Sequence, residues 1–158
     1  MLKDPIEGCL VVTSDDLIFE VKGVVHPKDR IIAYVRYVPD NNDKKKGYRK
    51  IYDLREREYY LEKNFPYYLW YSETHGRLLQ SVPRNMIKSF LNPIEHLIHM
   101  RKEKTKNTSL SAATIQLADK LAEITGIKTV DMGVTGSQLA NVATESSDID
   151  LVIYGTTA

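Results

Sequence analysis

The apolar positions of this chain change their period near residue 81. Before that point they fall in short runs with strand character. "CLVVT", "DLIFEVKGVV" and "RIIAYVRYV" are rich in Val, Ile, Phe and Tyr, and "SDD" and "HPKD" separate them, so residues 8–52 read as a β-meander. The polar stretch "PDNNDKKKG" (39–47) reads as the loop of a hairpin, and "YRKIYDL" as the returning strand. "LREREYYLEKN" (54–64) predicts a short helix. "PYYLWYSETHGRLLQ" (66–80) predicts extended chain with a turn at His75-Gly76.

Beyond residue 81 the pattern becomes helical. "PRNMIKSFL" and "PIEHLIHMRKEK" predict two short helices opened by Pro83 and Pro93, because a first-turn proline gives up an N–H that would be unpaired there anyway. The charged stretch "RKEKTKN" (101–107) reads as a connection. Thr108 or Ser109 then caps a longer helix, 109–125. Leu110, Ala113, Leu117, Leu121 and Ile124 recur on one face of it, and Gly126 stops it. "IKTVDMGV" predicts a strand, Thr135-Gly136 a turn into a short helix, and "DIDLVIY" a second strand. The fold class is therefore α+β. A β-rich part (1–80) leads through a helical connection (81–107) into a helix–strand–turn-helix–strand part (108–158).

Composition narrows the class. With 42% apolar and 27% charged residues the chain should bury a core. Residues 107–158 hold two cations and six anions, against 20 and 15 in residues 1–106, so a basic part precedes an acidic one. Cys9 is the single cysteine, which excludes an internal disulfide and a cysteine-rich zinc site. No apolar run approaches the roughly 20 residues of a membrane span, and the N-terminus has no signal-peptide pattern. The expectation is a soluble, cytoplasmic protein with no membrane partner.

Candidate chemistry concentrates in "GVTGSQLANVATESSDIDLVIYG" (133–155). On a strand, Asp148 and Asp150 share a face with Cα atoms about 6.6–6.8 Å apart, while Ile149, Leu151 and Ile153 point into the core. Two carboxylates on one face repel unless a cation lies between them. An oxygen-only pair suits Mg²⁺ or Mn²⁺, which bind through a few carboxylates and substrate phosphates. Gly136-Ser137 follows a strand and opens a helix. Glycine permits close backbone approach, the helix start offers free N–H groups to an anion, and Ser137 adds a hydroxyl. Taken singly, an Asp-x-Asp or a Gly-Ser turn reads more simply as a solvated surface feature. Their combination at this spacing points to nucleoside triphosphate chemistry.

The segment resembles the signature of the DNA polymerase β-like nucleotidyltransferase superfamily: Gly-Ser, a gap near ten residues, then Asp-hydrophobic-Asp on the next strand. It is most similar to the minimal nucleotidyltransferases of archaea and bacteria, and "SDIDL" (147–151) matches their run. The whole chain, with "GVVHPKDRIIAYVRYVPD", is more loosely similar to archaeal predicted nucleotidyltransferases. The resemblance covers roughly residues 109–155. It implies that Gly136 and Ser137 contact the triphosphate and that Asp148 and Asp150 are catalytic and bind Mg²⁺. The implied reaction moves a nucleoside monophosphate from a nucleoside triphosphate to a hydroxyl acceptor, which RNA, DNA or a protein could supply.

Three departures bear on that expectation. Gln138 stands where many relatives have a basic residue, and Asn141 where they have glycine. Asn tolerates the left-handed backbone such a helix end needs. The superfamily also uses a third carboxylate on a later strand, whereas "LVIYGTTA" after Asp150 contains no acid. Either the chain is a fragment or it is a degenerate, non-catalytic member; the thin core of the last part favours a truncated chain. The rival reading is a non-catalytic nucleotide- or nucleic-acid-binding module, and the resemblance also allows a toxin–antitoxin role.

Other candidates have simpler readings. His96 and His99, near Glu95, could share a helix face, but no third ligand accompanies them. His26 and His75 read as turn residues. Tyr34, Tyr37, Tyr48, Tyr52, Tyr67, Tyr68, Trp70 and Tyr71 interleave with Arg36, Arg49 and Lys50, as in single-strand nucleic-acid platforms. The same spacing fits core and cross-strand packing. Lys44–46 could touch phosphates or keep a loop solvated.

Overall fold

The computed structural model describes residues 4–40, 47–103 and 108–155. The lysine run 44–46 lies outside them. The fold is α+β with mostly antiparallel strand pairing, divided into two compact units, residues 1–90 and 91–158.

The first unit is built on a seven-stranded sheet. Its strands are β1 (Leu10–Thr13), β2 (Ile18–Val21), β3 (Arg30–Pro39), β4 (Tyr48–Lys50), β5 (Leu69–Ser72), β6 (Arg77–Pro83) and β7 (Ile87–Leu91). They run in the order β5-β6-β3-β2-β1-β7, with β4 pairing β3. The β1–β2 turn places Asp16 at φ +58°, and Thr13 accepts a bond from the Leu17 N–H through its hydroxyl. Helix α1 (Leu54–Asn64) starts at Asp53, whose carboxylate accepts from the N–H groups of Arg55 and Glu56. Its Leu61 joins Val11, Phe19, Ile31, Val35, Tyr68 and Val82 in the core.

Two expectations fail here. "PRNMIKSFL" is not a helix: β6 runs through Pro83, one 3-10 turn follows at Arg84–Met86, and β7 begins at Ile87. The short apolar run was ambiguous between periods. The edge of β1 decides it, because its backbone groups need partners: β7 pairs with β1, the Ser14 N–H donates to the Met86 carbonyl (2.9 Å), and Met86, Ile87 and Phe90 pack on the core. "DLIFEVKGVV" is also too long a strand. β2 ends at Val21, and Val25 is 81% exposed in the following loop.

The second unit comprises α2 (Pro93–Lys102), α3 (Ser109–Thr125), β8 (Met132–Val134), the one-turn helix α4 (Gly136–Leu139) and β9 (Leu151–Ile153). Asn92 caps α2 and Thr108 caps α3; Gly126, at φ +74°, ends α3. The core contains Leu97, Met100, Ala118, Met132 and Val134, with Ile115, Leu121, Ala122 and Leu151 against it. Helix α3 is therefore rotated from the expected face. Thr114 and Ala118 are buried, whereas Leu117 is exposed and Ile124 is 70% exposed. Gly133 lets β8 reach the start of α2: a Cβ there would stand 2.7 Å from the Pro93 carbonyl carbon and 2.8 Å from the Ile94 nitrogen.

Candidate functional site

Strand pairing assembles the site. β8 and β9 are antiparallel, with Val134 opposite Leu151 and Met132 opposite Ile153. One further bond, from the Thr135 N–H to the Asp150 carbonyl (2.9 Å), extends the ladder past both strands. The Gly-Ser turn leaves β8 where the aspartates enter β9, so residues more than ten positions apart in sequence become neighbours.

Gly136 sits at φ +65°. A Cβ on it would collide with the Asp150 carboxylate, lying 2.9 Å from Cγ and 3.2 Å from Cβ besides overlapping Oδ2. The glycine thus serves two needs at once, a left-handed backbone and a bare Cα against a carboxylate. Helix α4 follows for a single turn. The Ala140 N–H donates to the Gly136 carbonyl (3.1 Å) and the Val142 N–H to the Ser137 carbonyl (2.9 Å). Asn141 ends the turn at φ +57°, the left-handed conformation expected of it. Four residues make little macrodipole. What α4 can offer an anion is its first N–H groups, which Thr135 does not cap through its side chain, and the Ser137 hydroxyl.

The loop from Asn141 to Ser147 is held at several points. The Ser147 hydroxyl accepts from the Thr144 N–H (2.9 Å), the Ser147 N–H donates to the Thr144 carbonyl (3.0 Å), and Glu145 accepts from the Ser109 hydroxyl at the start of α3. Asp148 and Asp150 then emerge exposed, with Ile149 half-buried between them. They precede β9 rather than lying inside it, and neither is buried. Leu151 packs into the core, but Ile153 is exposed, against expectation.

Among the described residues, neither aspartate side chain has a hydrogen bond or ion pair, and the Ser137 hydroxyl has no partner. Three other acids of this unit have basic neighbours, Asp119 with Arg101 at 2.6 Å, Glu123 with Lys120 at 3.0 Å and Glu103 with His99 at 3.6 Å, whereas the Glu95 and Asp131 carboxylates, like the aspartate pair, have no such partner among the described residues. Among the described residues no group of three His, Cys, Asp or Glu side chains could hold a metal ion. This covers Glu95, His96 and His99 as well as the aspartate pair.

The structure sorts the aromatic residues of the first unit. Tyr37 and Tyr68 are core residues, and Tyr67 and Tyr68 both donate to Asp15, at 2.5 and 2.8 Å. Tyr52 is 73% exposed beneath the Lys50 ammonium, 4.7 Å from its ring centre, and Arg30 covers Trp70 at 5.1 Å. Arg49 is occupied by Glu56 at 2.8 Å. His26 is more than a turn residue: its Nδ1 accepts from the Ile32 N–H (3.2 Å), which leaves Nε2 to donate to the Pro5 carbonyl (2.8 Å). Sequence reasoning missed this clasp and the Asp15 pair, because both join residues remote in sequence.

No helix among the described residues is long and apolar enough to cross a membrane. No family model matches the chain, and no solved structure matches it. The chain is 34% identical, over an alignment of 157 residues, to an uncharacterized protein of Methanocaldococcus jannaschii. The alignment takes in 92% of this chain, so it runs through both units, and 46% of that relative. The chain spans about half the length of the curated relative it matches.

Proposed function

We propose that the second unit holds the metal- and triphosphate-binding half of a Mg²⁺-dependent nucleotidyltransferase, which moves a nucleoside monophosphate from a nucleoside triphosphate to a hydroxyl and releases pyrophosphate. The observation that carries this reading is the aspartate pair, exposed, unpartnered among the described residues, and set beside the Gly136-Ser137 turn by the β8–β9 pairing.

The donor set fits the ion. Two carboxylates offer only oxygen, and Mg²⁺ or Mn²⁺ is held by one or two carboxylates plus substrate phosphates. A bound ion would neutralise the pair and polarise a phosphoryl oxygen. Asp148 and Asp150 would hold the ion. Ser137 and the turn's backbone N–H groups would contact the triphosphate, and Gly136 lets the turn pack directly against the Asp150 carboxylate. No third acid joins the pair among the described residues, so no residue here is assigned to deprotonate the acceptor.

That same observation favours a second reading, a module that binds nucleotide or nucleic acid without turnover. The cations over Trp70 and Tyr52 would then serve single-strand stacking. A calorimetric titration with ATP and GTP, with and without Mg²⁺, tests the site common to both. Metal-dependent binding is expected for the wild type and not for Asp148→Asn/Asp150→Asn. Absence of binding by the wild type at millimolar nucleotide would end the nucleotide-site reading. Given binding, transfer of a labelled nucleotide to a hydroxyl separates enzyme from module.

A further inference from the structure

Gln138 follows Ser137 directly, yet it is only 8% exposed. Its side chain turns inward, to the fully buried Thr114 on α3, with Oε1 placed 3.1 Å from Thr114 Oγ1. Thr114 Oγ1 is also 2.8 Å from the Leu110 carbonyl one turn earlier. A hydroxyl has one proton. The Leu110 carbonyl, the nearer acceptor and able only to accept, takes it. Gln138 Oε1 then faces an oxygen with nothing left to donate, while Gln138 Nε2 is buried without a partner among the described residues. Turning the amide over removes both conflicts, and the hydrogen-bond network is what assigns the two ends of an amide. Nε2 then donates to Thr114 Oγ1, which donates to Leu110.

We infer that Gln138 is a positioning residue for the Gly136-Ser137 turn: its buried amide, donating to Thr114, fixes the turn to α3. The inference rests on the nucleotide-site reading above. Helix α4 has one turn, and its buried side chains are Gln138 and Leu139. Leu139 supplies apolar contact, which has no direction. The amide bond supplies direction, and so sets where the Ser137 hydroxyl and the turn's N–H groups point. The position that the resemblance assigns to a basic phosphate contact therefore acts here through the turn, from behind it.

The test compares Mg²⁺-dependent ATP binding and thermal unfolding in wild type, Gln138→Leu, Thr114→Val, Thr114→Ser and the double variant Thr114→Val/Gln138→Leu. Gln138→Leu and Thr114→Val should each weaken ATP about tenfold. Thr114→Ser keeps the hydroxyl and should bind like wild type. The double variant leaves no buried polar group orphaned, so its unfolding temperature should rise above that of Thr114→Val. Its ATP affinity should stay about tenfold weak, because direction is still missing. It also decides the matter if a single variant fails to fold. Single variants that bind like wild type, or affinity in the double variant that recovers together with its unfolding temperature, would overturn the inference alone. A wild type that binds no nucleotide would overturn it together with the functional reading.

Discussion

The Cα of Gly136 lies against the carboxylate of Asp150, with no room for a methyl group between them. The residue that opens the turn and the residue that ends the aspartate pair are thus fitted to each other across β8 and β9. The Gly-Ser and Asp-x-Asp halves of the motif form one packed unit in this fold.

Replacing Gly136 with alanine should therefore do two kinds of damage. The left-handed φ of +65° becomes strained, and the new methyl meets the Asp150 side chain. Together we expect a loss of about 1–3 kcal/mol. The steric share is separable: Gly136→Ala/Asp150→Ala should recover part of it, while Asp150→Asn, equal in size, should recover none. Denaturant unfolding of the three variants reads this directly.

Much of this site was legible in the sequence, and the reason is local. Gly136, Asn141, Asp148 and Asp150 belong to one continuous stretch, and the left-handed positions at Gly136 and Asn141 follow from the residue types there. The same holds for the two ends of α3, Thr108 and Gly126. What sequence reasoning missed depends on distant partners. Residues 83–91 carried an apolar spacing that fits either period, and pairing with β1 made Ile87–Leu91 a strand. The face of α3 was misjudged because Thr114 looked polar, yet it is buried by pairing with Gln138, 24 residues away. The aspartates looked like part of a core strand; they stop one residue short of β9 and stay exposed.

His96 gives the second unit a pH dependence. Burial, and then the nearby His99, hold its pKa below the ordinary 6.5. The folded state therefore resists a proton that the unfolded chain accepts. As pH falls through 6.5 the unfolded state takes up the proton first, so stability is lost toward acid and is fully kept above that pH. The His96 ring resonances should titrate with a midpoint below 6.5. His96→Gln should flatten the fall in stability between about pH 7 and pH 5. A midpoint at or above the ordinary value would refute the assignment.

The Asp15 clasp makes the opposite prediction, at alkaline pH. Tyr68 is fully buried, and its pKa is raised first by burial and then by donation to Asp15. Tyr67 is pushed up to about 12, again by burial first and Asp15 second. Tyr67 is 45% exposed, so solvent screens its share and Tyr68 carries the larger effect. Unfolded tyrosines ionise near 10, where the folded pair keeps its protons. The first unit should therefore lose stability as pH climbs above 10. Phenolate absorbance in the native protein should show these two tyrosines ionising above the ordinary 10. Asp15→Ala should bring the Tyr67 midpoint down from about 12, though not to the ordinary value, since burial remains. The same variant should cost about 1–3 kcal/mol by leaving the buried Tyr68 hydroxyl short of its acceptor. Tyr68→Phe in that background should return part of the loss. If Asp15→Ala changes neither the tyrosine titration nor the stability, the carboxylate is not what holds the two rings.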